Sequence, residues 1–86
     1  MITTEQIKAA RMLLGWDQVI LSEMSGVPLS TLKRVESKPG PVQANTKTVW
    51  SLQAALEEAG IDFLSADIQG GVGVRLKHPE LFPQKR

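Results

Sequence analysis

The chain has 86 residues, a formal net charge of +1, one histidine and no cysteine. That length suits one domain and not two. The missing thiols exclude disulfides and thiolate metal sites, and a lone histidine builds no zinc site. No Asp-rich loop offers a calcium seat, and no apolar run approaches the roughly 18 residues of a membrane span. Residues 1–11 lack the basic-then-apolar order of a secretory signal. The expectation is a cytoplasmic protein with no cofactor, no metal and no membrane contact. Charge distribution says more than the total: residues 33–38 carry three basic side chains and one acidic, and residues 75–86 carry four and one.

The first helix is expected over about residues 4–14. Thr3 and Gln6 have the spacing of a capping box, Ile7, Ala10, Leu13 and Leu14 recur at helical intervals, and Gly15 supplies the stop. Trp16 is expected to tuck under the next turn. Asp17 is a good N-cap for a second helix over 18–25, with Leu21, Met24 and Ser25 on one face and Ile20 at its border. Gly26 ends that helix after about two turns. Pro28 suits the start of a third helix over 29–36, with Leu32 and Val35 inward and Ser30, Lys33 and Arg34 outward.

The run Lys38-Pro39-Gly40-Pro41 breaks the helical pattern. Asn45 then caps a fourth helix over about 46–59, whose stripe is Val49, Leu52, Ala55, Leu56 and Ala59. Beyond Gly60 the period changes. Residues 61–64 and 72–76 read as two short strands of a hairpin spanning about 61–76, joined by the glycine-rich stretch 65–71. Residues 1–77 thus form one domain. Residues 78–86 form a tail that is mobile or docked through Leu81 and Phe82.

The ordered set Gly15-Trp16-Asp17-Gln18, Leu21, Gly26-Val27, Ser30-Thr31-Leu32 and Arg34-Val35-Glu36 resembles the lambda-repressor-like (Cro/C1, or XRE) helix-turn-helix family. Residues 7–11, 45–63 and 73–76 extend the likeness to about 75 residues of the chain. The resemblance implies a mainly α fold: a four-helix lambda-repressor-like DNA-binding domain with a short C-terminal β-hairpin. It implies a tight turn at Gly26 between helices crossing at about 90–120°. Leu21, Val27, Leu32 and Val35 would be the wedge that holds them. Ser22 and Ser25 stand where the family favours alanine and an apolar residue; either serine can bond the carbonyl four residues back. Pro28 replaces the family's frequent hydroxyl cap.

Carried over position by position, the family's base-contacting residues become Leu29, Ser30, Thr31, Lys33 and Arg34. Lys33 suits guanine O6 and N7, and Leu29 a thymine methyl. Arg34 suits a guanine or a phosphate, or an ion pair with Glu36 or Glu23. Gln18, at the start of the second helix, and Lys38, Gln43 and Asn45, in the loop, become phosphate contacts. Asn45 also reads as a helix cap.

Val19 opposite Leu21, Trp50 well off the helix-four stripe, and the open hairpin edges point to a homodimer. The residues expected at its interface are Val19, Trp50, Ile61, Phe63 and Val74. The alternative for Trp50 is that it covers the hairpin. An enzyme is not expected. No nucleophile has a base beside it, Glu57 and Glu58 are adjacent on a helix and point apart, and the glycines at 70, 71 and 73 lack a phosphate-loop lysine. The partner is expected to be double-stranded DNA. The second reading is an antitoxin or adaptor whose hairpin and tail bind a partner protein. In weighing the two, Glu36 counts as a carboxylate near the otherwise basic outer face of helix three.

Overall fold

Three helices begin where a short polar side chain takes the place of a missing helical acceptor. The computed structural model describes residues 2–78. Helix α1 (Thr4–Leu14) opens on a complete Thr3–Gln6 capping box. Helix α2 (Gln18–Ser25) opens on Asp17, which accepts from the Ile20 amide at 2.9 Å. Helix α4 (Thr46–Glu58) opens on Asn45, which accepts from the Thr48 amide at 2.8 Å. Helix α3 (Leu29–Glu36) has no side-chain cap. Pro28 precedes it, and its carbonyl accepts from the Leu32 amide. Gly15 and Gly26 close α1 and α2 in the left-handed region, at φ 70° and 76°.

Strands β1 (Ile61–Leu64) and β2 (Gly73–Leu76) form an antiparallel pair in which Ile61 faces Leu76 and Phe63 faces Val74. The expected elements are therefore present: four helices and a two-stranded hairpin, with helix predominating. α4 ends at Glu58 rather than residue 59. The second strand starts at Gly73, leaving Val72 outside it. Among the described residues, no helix is long and apolar enough to cross a membrane. The expectations for residues 79–86, docking through Leu81 and Phe82 included, lie outside the described residues.

The core joins Ile7 and Ala10 of α1, Leu21 of α2, Leu32 and Val35 of α3, Val49, Leu52 and Leu56 of α4, and Ile61 of β1. Ile2, Val27 and Val42 complete it from outside the helices and strands. Met24 does not join this core: it is 60% exposed, so the apolar face of α2 is narrower than the spacing predicts. Trp16 is half-buried and packs against the core.

Two polar clamps add what a thin core lacks. The first ties the loop after α3 to the N-terminus. Thr4 N–H donates to Gly40 O at 2.9 Å, and Val42 N–H donates to Ile2 O at 3.2 Å. Glu5 accepts from the Gly40 amide. These bonds bury Ile2 and Val42, which no helical or strand period predicts. The second clamp is Gln6. Its Oε1 accepts from Thr3 N–H at 2.9 Å, and its Nε2 donates to Leu64 O at 3.1 Å and Gly73 O at 2.9 Å. One side chain thus caps α1 and pins the loop end of the hairpin to it. Gln6→Ala removes all three bonds and is expected to cost about 2–3 kcal/mol. Urea unfolding should report that loss, and amide exchange should show the hairpin losing protection before the helices.

Candidate nucleic-acid interface

The unit at issue is α2, the turn around Gly26 and α3. Leu21, Val27, Leu32 and Val35 are all buried, as a wedge between the two helices requires. A buried turn must satisfy its backbone groups, and two serines do this at Val27. Ser22 Oγ donates to Val27 O at 2.6 Å, and Ser25 Oγ accepts from Val27 N–H at 3.2 Å. Neither serine bonds the carbonyl four residues back. Ser22 reaches forward across the turn, and Ser25 donates only to the Ser22 carbonyl, at 3.4 Å. Nothing lies within 4 Å of a Cβ built on Gly26, so its requirement for glycine is the positive φ alone. Gly26→Ala is therefore expected to cost about 1–2 kcal/mol, the backbone penalty without a clash, measured by chemical denaturation.

Glu36 is where structure and expectation part most sharply. It is not on the outer face of α3: it is 4% exposed and points into the domain. Its carboxylate takes a two-pronged bond from Arg11 of α1, with Nε to Oε2 at 2.8 Å and Nη2 to Oε1 at 2.7 Å. Gln18 Nε2 of α2 donates to the same Oε1 at 3.0 Å. Arg11 Nη1 donates to Trp16 O at 3.1 Å, which ties in the α1–α2 connection. Three helices thus converge on one carboxylate.

The bond to Glu36 raises the Arg11 pKa above its ordinary value, and partial burial offsets only part of that rise. A raised basic group contributes stability that is lost only as pH climbs through the raised value. The Arg11 charge is therefore constant through the neutral range.

This arrangement corrects one expectation and adds a role for another residue. Arg34 does not pair with Glu36 or Glu23: among the described residues neither Lys33 nor Arg34 has an ion-pair partner. Gln18 directs one amide N–H to Glu36, and the Asp17 carboxylate caps the start of α2. Gln18, expected at a phosphate, is half-buried and braces α3 from beneath.

The remaining positions fall as follows. Ser30, Lys33 and Arg34 are exposed on one side of α3, with Leu29 and Thr31 half-buried at its margins. Lys38, Gln43 and Asn45 are exposed in the loop that follows, where Asn45 also caps α4. Of the residues expected to meet a second copy, Val19 and Trp50 are exposed, and Phe63 and Val74 are half-buried against the core. Ile61 is 0% exposed and cannot meet one. Its strand position faces α4, not an open edge. Trp50 does not cover the hairpin, as 69% of it is exposed.

Residue spacing alone does not reveal the Arg11–Glu36–Gln18 junction, because its members lie on three elements. The only sequence signal is that Glu36 follows the helical period of Leu32 and Val35 inward. No protein-family model matches this chain, and no curated protein matches it as a relative.

Arg11→Met leaves the Glu36 carboxylate buried with Gln18 alone, and is expected to destabilise by about 3–5 kcal/mol. Adding Glu36→Leu should recover most of that loss, because an apolar pair of similar volume replaces the ions. Urea denaturation of the single and double variants measures both.

Proposed function

We propose that the chain binds double-stranded DNA sequence-specifically, with α3 lying in the major groove. On this reading it is a small cytoplasmic, nucleoid-associated transcriptional regulator of the lambda-repressor-like type. The observation that carries the reading is the inward turn of Glu36. With its only carboxylate buried against Arg11, α3 presents Ser30, Lys33 and Arg34 outward: two cations, two hydrogen-bonding hydroxyl or guanidinium groups, and no acid. An unpaired basic helix face is suited to base edges and phosphates. Leu29 and Thr31, half-buried at its margins, are placed for a thymine methyl and a base edge.

Lys38 and Gln43 supply phosphate contacts from the loop, and Asn45 retains its amide NH2 for the same use while its oxygen caps α4. Phosphate contacts of this kind set register and orientation, and base contacts set sequence. A homodimer would place two α3 helices about 34 Å apart, one turn of DNA.

Selection of binding sites from a random duplex library is the direct test, with a palindromic consensus as the expected outcome. Against that consensus, Lys33→Glu should weaken binding about 10–100-fold and relax preference at one position. Lys38→Ala should weaken all sequences alike and reduce the salt slope by about one. Unchanged affinity in both variants would overturn the reading and favour a partner protein as the ligand.

A further inference from the structure

Glu57 stands in the last turn of α4, where the helix's own carbonyls gather negative charge. No basic residue sits in that turn. The Glu57 side chain is half-buried, and among the described residues it has no ion-pair partner. Lys77 reaches the same helix end, but its Nζ donates to the Glu57 backbone oxygen, at 3.1 Å. Gln53, one turn earlier, donates from Nε2 to Glu57 Oε2 at 3.1 Å. That bond orients the carboxylate. It leaves Gln53 Oε1 and Glu57 Oε1 without a donor among the described residues. A charge drawn partly out of water is ordinarily paired, and this one serves neither its helix nor a neighbour.

Both side chains wall a half-open depression of about 260 Å³ between α4 and the hairpin. Ile2, Phe63 and Val72 supply apolar walls, and the exposed Ser65 adds a hydroxyl. Gln6 is a further wall, but both ends of its amide are already engaged. We infer that this depression is a binding site for a small organic cation, a primary ammonium on a short apolar body. An ammonium carries three donors and no acceptor, which matches the unmet oxygens of Gln53 and Glu57. The apolar body packs against Ile2, Phe63 and Val72.

Size and charge narrow the class. The volume lies below the roughly 300–1,000 Å³ of sites for drug-sized ligands, so the ligand is small. A positive charge here also relieves the negative end of α4. An anion would meet Glu57 with no wall cation to receive it, and a neutral ligand would leave the carboxylate unpaired. The ligand touches α4 and the hairpin region at once, beside the bonds by which Gln6 holds the hairpin. Bound ligand therefore favours the docked hairpin over an opened one, by the linkage that joins a ligand to the state it binds. This site does not depend on the DNA reading, and it is tested without DNA.

The test is an NMR titration of the full isotope-labelled chain with benzylamine, protonated at neutral pH, beside its neutral isostere benzyl alcohol. Amide signals of Gln53, Glu57, Phe63 and Val72 should shift and saturate, with a dissociation constant of about 1 mM for so open a site. The alcohol should bind about five-fold more weakly, the worth of a partly exposed ion pair. Glu57→Gln keeps the size of the side chain and an acceptor for Gln53, and should erase that preference. Glu58→Gln, at the exposed neighbour, should leave it intact. Val72→Lys, also at an exposed position, brings a tethered cation to the depression and should suppress amine binding. Amide exchange in the hairpin should slow as benzylamine is added. No saturable shift at these residues, equal binding of amine and alcohol, or a preference that survives Glu57→Gln would each overturn the inference.

Discussion

The bond between Arg11 and Glu36 decides what α3 can offer. An eight-residue helix is too short to hold its own shape in water, so α3 exists because its inner face is buried. Four aliphatic side chains at the wedge give proximity. The paired charges add direction, since both guanidinium bonds, at 2.7 and 2.8 Å, must be met at once. Gln18 brings α2 to the same oxygen, so the relative placement of three helices rests on one carboxylate. The same bond draws the only acid of α3 off the outer face. Stability and surface charge are thus settled by a single interaction.

Around that junction the domain uses polar groups where a larger protein would use more core. Val27, buried in the turn, has its N–H and its carbonyl met by Ser25 and Ser22. Gln6 serves the first turn of α1 and two hairpin carbonyls at once. The segment Ile2–Glu5 holds the loop around Gly40. The Gln6 bonds to the hairpin and the Ile2–Glu5 bonds to the Gly40 loop join segments distant in the chain, and each meets a backbone group. On the proposed reading they keep the basic face of α3 and the loop bearing Lys38 and Gln43 in a fixed relation.

The helices and their ends were legible in the amino-acid sequence, because caps, glycine stops and apolar spacing are local signals. Thr3 with Gln6, Asp17, Asn45, Gly15 and Gly26 each act within four residues of their own position, and the structure uses each of them there. The outward side of α3 followed from the same arithmetic. Less legible were residues whose role depends on a distant partner. Met24 has the helical phase of a core residue, yet no element covers it. Ile2 and Val42 have no periodic neighbours, yet each is buried by the other's strand-like pairing. Ile61 reads as an edge residue only while the position of α4 is unknown.

Local sequence therefore determined where the chain turns, where each helix starts and stops, and which side of α3 carries Lys33 and Arg34. Tertiary structure alone decided that Glu36 faces inward to Arg11, that Gln18 braces α3, and that Gln6 holds the hairpin to α1. The reason is range. A cap or a helical period is written within a few consecutive residues, whereas an ion pair between α1 and α3, or a hole between α4 and the hairpin, exists only once elements far apart in the chain are brought together.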